Sequence, residues 1–133
     1  MIEMKNKVAV VTGGARDIGR AISIRLAQQG AFVALNYYDN PEDAAETVDT
    51  ITKAGGKAIK VQGDMTLISD IQRFVAETTA AFGQKINYLV NVCGGLVGRK
   101  KIDEMDEKFW DFVIGLNLKS TFLVTKAFLP YII

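Results

Sequence analysis

A chain of 133 residues that is 49% hydrophobic has the length of one ordinary domain and can bury most of its apolar surface in a single core. Sixteen Lys and Arg stand against fifteen Asp and Glu, so no basic face of the size that a nucleic-acid backbone requires is available. Cys93 is the only cysteine and histidine is absent, which excludes an internal disulfide, a multi-cysteine metal site, zinc hydrolysis and every His-based triad. The N-terminal MIEMKNK has no apolar core of signal-peptide length, and no uninterrupted apolar run reaches the roughly 18 residues of a membrane span. A cytoplasmic domain with no membrane or nucleic-acid partner and no metal is therefore expected.

Taken in order, Lys7 to Thr12 is β-branched and almost wholly apolar, the pattern of a parallel strand covered on both faces. Three glycines follow, and then Ile18, Ile22 and Leu26 recur at helical spacing until Gly30 ends the helix. Ala31 to Asn36 reads as a second strand, and Asn40 before Pro41 as an N-cap with proline at the first helical position. The next helix carries Ala44, Val48 and Ile51 on one face and stops at Gly55 and Gly56. Lys57 to Gln62 makes a third strand, Gly63 and Asp64 a turn, and Ile71, Phe74, Val75, Thr78 and Phe82 a third amphipathic helix ending at Gly83. Ile86 to Val92 is the fourth strand. Beyond Cys93, Gly94 and Gly95 comes a loop with Gly98, Arg99, Lys100 and Lys101, then a long apolar helical region from about Asp106.

Strands alternating with helices at this spacing predict a doubly wound α/β domain, a parallel sheet with helices on both faces. Ligands of such sheets sit beyond the carboxyl ends of the strands, so 12–19, 36–39, Asp64 and 91–95 should converge on one crevice. Glycines between the first strand and first helix let a phosphate approach backbone N–H groups and the helix N-terminus. Placed after the first strand of a βαβ series, Gly13, Gly14 and Gly19 read as a nucleotide loop rather than an ordinary tight turn.

These residues make the resemblance specific. Thr12, Gly13 and Gly19 match the T-G-x-x-x-G-x-G signature of the short-chain dehydrogenase/reductase family. Asn91, Val92, Cys93 and Gly94 resemble its N-N-A-G element after the fourth strand, and Asn117 in NLKSTF matches its structural and catalytic asparagine. Among its members the chain looks most like the 3-oxoacyl-[acyl-carrier-protein] reductase type. The resemblance implies a Rossmann-like three-layer α/β/α domain over residues 1–133, incomplete at about four strands. It implies hydride transfer between a nicotinamide cofactor and a small-molecule carbonyl or alcohol, such as an acyl thioester. The cofactor residues it implies are Thr12, Gly13, Gly14, Arg16, Asp17, Ile18 and Gly19 in the first loop. Tyr37, Asp64, Met65, Asn91, Cys93 and Gly94 are those at the ends of the other strands.

Two positions depart from the family pattern. Val92 replaces the second asparagine of the fourth-strand element, and Asp17 replaces the middle glycine of the signature. Asp17 reads as the N-cap of the helix beginning near Ile18, where a carboxylate is favourable. A pyrophosphate would face the same helix end, so Asp17 is expected to swing aside and weaken cofactor binding modestly.

At the end of the second strand, Asn36, Tyr37 and Tyr38 offer no acid for a free ribose 2′-hydroxyl, and Arg16 can form a bidentate phosphate contact. NADP is thus preferred over NAD, the bland alternatives being a solvated Arg16 and a merely packed Tyr37. Asp64 suits an adenine amino group and an ordinary turn equally well, and the resemblance favours the first. Asn91 reads as a tie between neighbouring strands, Cys93 as a small buried residue, and the Arg99 to Lys101 run as a solvated loop rather than a docking site for an acidic partner. Asn117 is awkward inside a helix unless it bonds nearby backbone, with a kink as its structural counterpart.

The family's catalytic serine and its Tyr-x-x-x-Lys pair have no counterpart here, since none of Tyr37, Tyr38, Tyr88 and Tyr131 has lysine four residues on. The chain is expected to be the N-terminal half of a longer enzyme, inactive by itself. A non-catalytic dinucleotide-binding or assembly module is the alternative. An edge without a fifth strand would leave Phe122, Leu123, Val124, Phe128, Leu129, Tyr131, Ile132 and Ile133 short of cover, and the long apolar helix points to a homo-oligomer.

Overall fold

A computed structural model describes residues 3–132. Four strands, β1 (Val8–Thr12), β2 (Phe32–Tyr37), β3 (Lys57–Gln62) and β4 (Tyr88–Asn91), form one parallel sheet in the order β3-β2-β1-β4. Between them run α1 (Asp17–Gln28), α2 (Pro41–Lys53) and α3 (Ile68–Phe82). The chain closes with α4 (Glu107–Ile114), a π-helical turn (Gly115–Lys119) and α5 (Ser120–Ile132), which follow one another without a break. This is the expected Rossmann-like, doubly wound arrangement.

Side-chain alternation along each strand divides the core into two layers. Val8 and Val10 of β1 and Ala34 of β2 join Ile71, Phe74, Val124 and Phe128 beneath α3 and α5. Val11, Val33 and Leu35 face the opposite way, against Ala15 and Ala44 on the side of α1 and α2. All five β1 residues are buried, as the continuous β-branched run requires of a strand covered on both faces. β1 pairs with β2 on one side and β4 on the other, so the chain reverses direction across the sheet at β1 and opens a crevice beyond the carboxyl ends of β1 and β4.

Several expectations need correction. β1 and β2 each begin one residue later than the apolar pattern suggests, and β2 extends through Tyr37. β4 is shorter than Ile86 to Val92. The Ile86 N–H leaves the sheet to reach the Tyr131 carbonyl at 2.9 Å, and the Val92 N–H is taken by the Thr12 hydroxyl at 3.1 Å. Val124 and Phe128 do not lack cover: both are buried, with Phe128 set edge-on against Phe74 at 5.4 Å between ring centroids. Leu123, Tyr131 and Ile132 are partly buried, whereas Phe122 and Leu129 are exposed, and Ile133 lies outside the described residues.

The span from Glu107 to Ile132 is also long and apolar enough, by length and composition, to cross a membrane, its most apolar 18 residues having mean hydropathy 1.4. An uninterrupted-run criterion misses it because Asn117 and Lys119 break the run while the average tolerates them. Burial of Ser120, Val124 and Phe128 packs one face of this helix into the sheet core.

Candidate functional site

The loop between β1 and α1 is held from behind. Thr12 is fully buried and its hydroxyl accepts the N–H groups of Val92 and Cys93, each at 3.1 Å, which ties β1 to the turn after β4. The Gly14 carbonyl accepts from the Ser23 hydroxyl at 2.9 Å, and the Ala15 carbonyl from Thr47 at 2.6 Å. Gly13 has φ of +60°, and a Cβ at Gly19 would collide with the Gly13 carbonyl, so these two positions need glycine for backbone conformation and for close approach. Thr12 and Gly14 therefore shape the loop from its buried side, while Gly13, Arg16, Asp17, Ile18 and Gly19 form its outer surface on the cleft.

Asp17 is not the N-cap. Arg16 holds that position in extended conformation, no side chain caps the first turn, and Asp17 starts α1 with φ of +52°. A residue in the left-handed region cannot offer its carboxylate in capping geometry. The position requires what glycine provides, and aspartate tolerates it at a cost. The first backbone bond of the helix runs from the Arg20 N–H to the Arg16 carbonyl at 3.1 Å, which leaves the preceding donors directed outward with the positive end of the helix dipole. Arg16 is exposed beside them and forms no ion pair among the described residues.

The remaining walls come from the ends of the other strands. Tyr37 ends β2 and Tyr38 and Asp39 follow it, and Gly63 to Thr66 follow β3. Asp64 is a well-fixed turn residue: one carboxylate oxygen accepts the Thr66 N–H at 2.8 Å and the Thr66 hydroxyl at 2.6 Å, while its own N–H donates to Asp70 at 2.8 Å. Its second carboxylate oxygen is not used by these bonds. Met65 is buried at the cleft base. Cys93 is half-buried on the cleft wall and packs against the core beneath α3 and α5, less buried than expected; burial pushes its thiol pKa up, and the negative charge of Asp64 adds to this.

Asn117 sits in the π-helical turn. Its Nδ2 donates to the Val113 carbonyl at 3.0 Å and to the Gly95 carbonyl at 3.1 Å, and its Oδ1 accepts the Gly95 N–H at 2.9 Å. One side chain thus accommodates the widened helix and clamps the loop after β4, the backbone partnership that an amide in a helix needs. Asn91 does not tie neighbouring strands. It is exposed, outside the cleft lining, and donates to the Thr125 hydroxyl on α5 at 3.2 Å. Arg99, Lys100 and Lys101 are exposed, with Lys100 over the Phe109 ring at 4.4 Å.

The resulting cleft holds about 800 Å³, within the range of sites for drug-sized or cofactor-sized molecules. It also has walls that the sequence reading missed. Gly63 and Thr66 line it, as do Asp111, Phe112, Gly115, Leu116 and Lys119 from α4 and the π turn, beside Asn36, which was expected there. The spacing of Asp111, Gly115 and Lys119, four residues apart, was a readable sign that they share a helix face.

A parallel sheet reversing at β1, with an uncapped helix N-terminus and a glycine loop at the reversal point, defines a dinucleotide-type α/β domain. The short chain dehydrogenase family profile matches residues 7–133, and the chain belongs to that family. It is 34% identical over 123 residues to a hydroxynaphthalene reductase-like protein Arp2 of Metarhizium guizhouense, over 92% of this chain and 45% of that protein. An NADH-dependent reductase A1-R′, solved with NAD, superposes with a TM-score of 0.89 at 35% identity, over 96% of this chain and 52% of the other. A short chain dehydrogenase from Burkholderia cenocepacia J2315, solved with NADP, gives 0.90 at 30% identity, over 98% of this chain and 53% of the other. The chain spans about half the length of the relatives it matches.

The residues present fit a dinucleotide such as those in the two solved relatives. The bare first turn of α1 and the exposed Arg16 guanidinium supply donors for phosphate, and the cleft volume is adequate. Asp17 is the discordant group, an anion where the phosphates would lie.

Proposed function

We propose that this chain is the cofactor-binding part of an NADP-dependent short-chain oxidoreductase that transfers hydride between NADPH and a carbonyl or alcohol substrate. A 3-oxoacyl thioester is the first substrate to try, on the strength of the sequence resemblance. The observation that carries the NADP preference is the second-strand end: Tyr37 and Tyr38 are not acids, while Arg16, without an ion pair among the described residues, stands at the same cleft. A guanidinium favours a 2′-phosphate, and no carboxylate before Asp39 competes for the ribose. The bound cofactor supplies or takes up the hydride. Arg16 and the α1 N-terminus hold its phosphates, Asp64 offers its spare carboxylate oxygen to the adenine, and Asn117 fixes the loop at Gly95.

The serine and Tyr-x-x-x-Lys groups of the family are absent from these 133 residues, so they are proposed to be inactive alone and active within a longer chain. A cytoplasmic homo-oligomer is the proposed working form. Absence of those groups also favours a second reading, a non-catalytic dinucleotide-binding or assembly module. Intact mass and NADPH oxidation with a 3-oxoacyl thioester separate the two. A native chain of about 28 kDa, roughly two such halves, with turnover supports the oxidoreductase. A native chain of 14.6 kDa without turnover contradicts it.

A further inference from the structure

Asn36 is 2% exposed near the end of β2, and every hydrogen bond of its amide goes to backbone. Its Oδ1 accepts the Gly13 N–H at 3.1 Å. Its Nδ2 donates to the Gly63 carbonyl at 3.0 Å, with the Tyr37 and Val61 carbonyls at 3.2 and 3.4 Å. The main chain of the same residue reaches back again, its carbonyl accepting the Gly14 N–H at 3.0 Å. One buried residue therefore joins the glycine loop, where phosphates would rest, to the turn that carries Asp64, where an adenine would rest.

We propose that Asn36 is a positioning residue that sets the two ends of the cleft relative to each other, so that the phosphate and adenine subsites form or loosen together. The proposal rests on the dinucleotide reading of the cleft. An apolar or β-branched residue would fill the space but leave the Gly13 N–H and the Gly63 carbonyl without this partner. Aspartate would keep the acceptor for Gly13 and turn a carboxylate oxygen toward three carbonyl oxygens, a repulsive contact in a buried site. An acid at position 36 therefore cannot serve as a ribose-reading group that trades NADP for NAD. Reading of the 2′ position falls to groups that face the cleft, Arg16 and Tyr37.

The test uses Asn36→Ser and Asn36→Asp in the whole protein, with Asn87→Ala as control, because the Asn87 Oδ1 accepts the Val8 N–H at the far end of β1. Amide hydrogen exchange is read in the ligand-free protein, and affinity is read with adenosine 2′,5′-bisphosphate, which carries the adenine and phosphate but no nicotinamide. Both Asn36 variants are expected to exchange about tenfold faster at Gly13 and at Gly63 and Asp64 together, and to bind the bisphosphate about tenfold more weakly. The control should accelerate exchange at Val8 and leave both cleft segments unchanged. If Asn36→Asp does not fold, Asn36→Ser carries the test. Acceleration confined to one segment, or unchanged affinity for the bisphosphate, overturns the proposal. A wild-type protein that binds no bisphosphate overturns the nucleotide reading instead, and the exchange arm then decides the coupling alone.

Discussion

The strands around the cleft and the helical stretch after β4 bury their side chains in opposite ways. β1 is buried at every residue and β2 at all but its two ends, and their loops are fastened by Thr12, Ser23, Asn36 and Thr47. In α4 and the π turn no residue is buried; Phe112 is exposed in the cleft wall, and Trp110 and Leu118 are exposed outside it, joined by Phe122 and Leu129 of α5. The two sheet edges differ in the same sense. β3 carries exposed Lys57 and Lys60, charges that discourage pairing with another strand, whereas β4 reads Tyr88-Leu89-Val90-Asn91 without a charge. The strand and glycine-loop side of the cleft is self-contained, and the apolar surface of Trp110, Leu118, Phe122 and Leu129 has the composition of a surface that is normally covered.

The steepest way to break this contrast is at α5. Phe128→Ala removes a fully buried ring from the contact with Phe74 and should cost about 3–5 kcal/mol, read as a shift in the urea midpoint. Phe122→Ala, six residues earlier and 60% exposed, should stay within about 0.5 kcal/mol. Comparable losses at the two positions would deny that one face of this helix is core and the other open.

Asn117→Ala is expected to cost about 1 kcal/mol, because its three hydrogen bonds are solvent-exposed, and to raise amide exchange at Gly95 selectively. Asp17→Gly runs the other way. Relief of the +52° backbone conformation, less the lost favourable charge at the helix start, should raise stability by roughly 0.5–1 kcal/mol and tighten dinucleotide binding. Unchanged or weaker affinity would refute the electrostatic role assigned to Asp17.

The smallest effect concerns Cys93. Its thiol pKa is raised in the folded protein, so the unfolded chain loses that proton first as pH rises. The group's contribution to stability is full below the ordinary value of 9.0 and is lost as pH climbs through the higher folded value. Alkylation at neutral pH should be slow, and Asp64→Asn should speed it slightly by removing the second cause of the shift.

Regular elements were legible because each carries an apolar pattern, several closed by a glycine and β2 instead by the turn residues Asp39, Asn40 and Pro41. β3 spans Lys57–Gln62 in both the sequence reading and the structure. Asn117 was legible as an amide out of place in a helix, but its partner Gly95 lies 22 residues away, and no local spacing reveals such a clamp. Asp17 misled the reading because an aspartate before an apolar helical run is an ordinary cap signal; only the loop conformation shows a glycine site filled by another residue. The work of Asn36 was invisible for a different reason. A polar residue at a strand end is commonly solvated, and its burial follows from three backbone segments converging on it.

Titration of the protein with NADPH and NADH, repeated with Arg16→Ala, tests the central claim most directly. The cleft as described should bind NADPH about tenfold more tightly than NADH, and Arg16→Ala should erase most of that difference. Tighter binding of NADH, or no binding of either dinucleotide, would contradict the account.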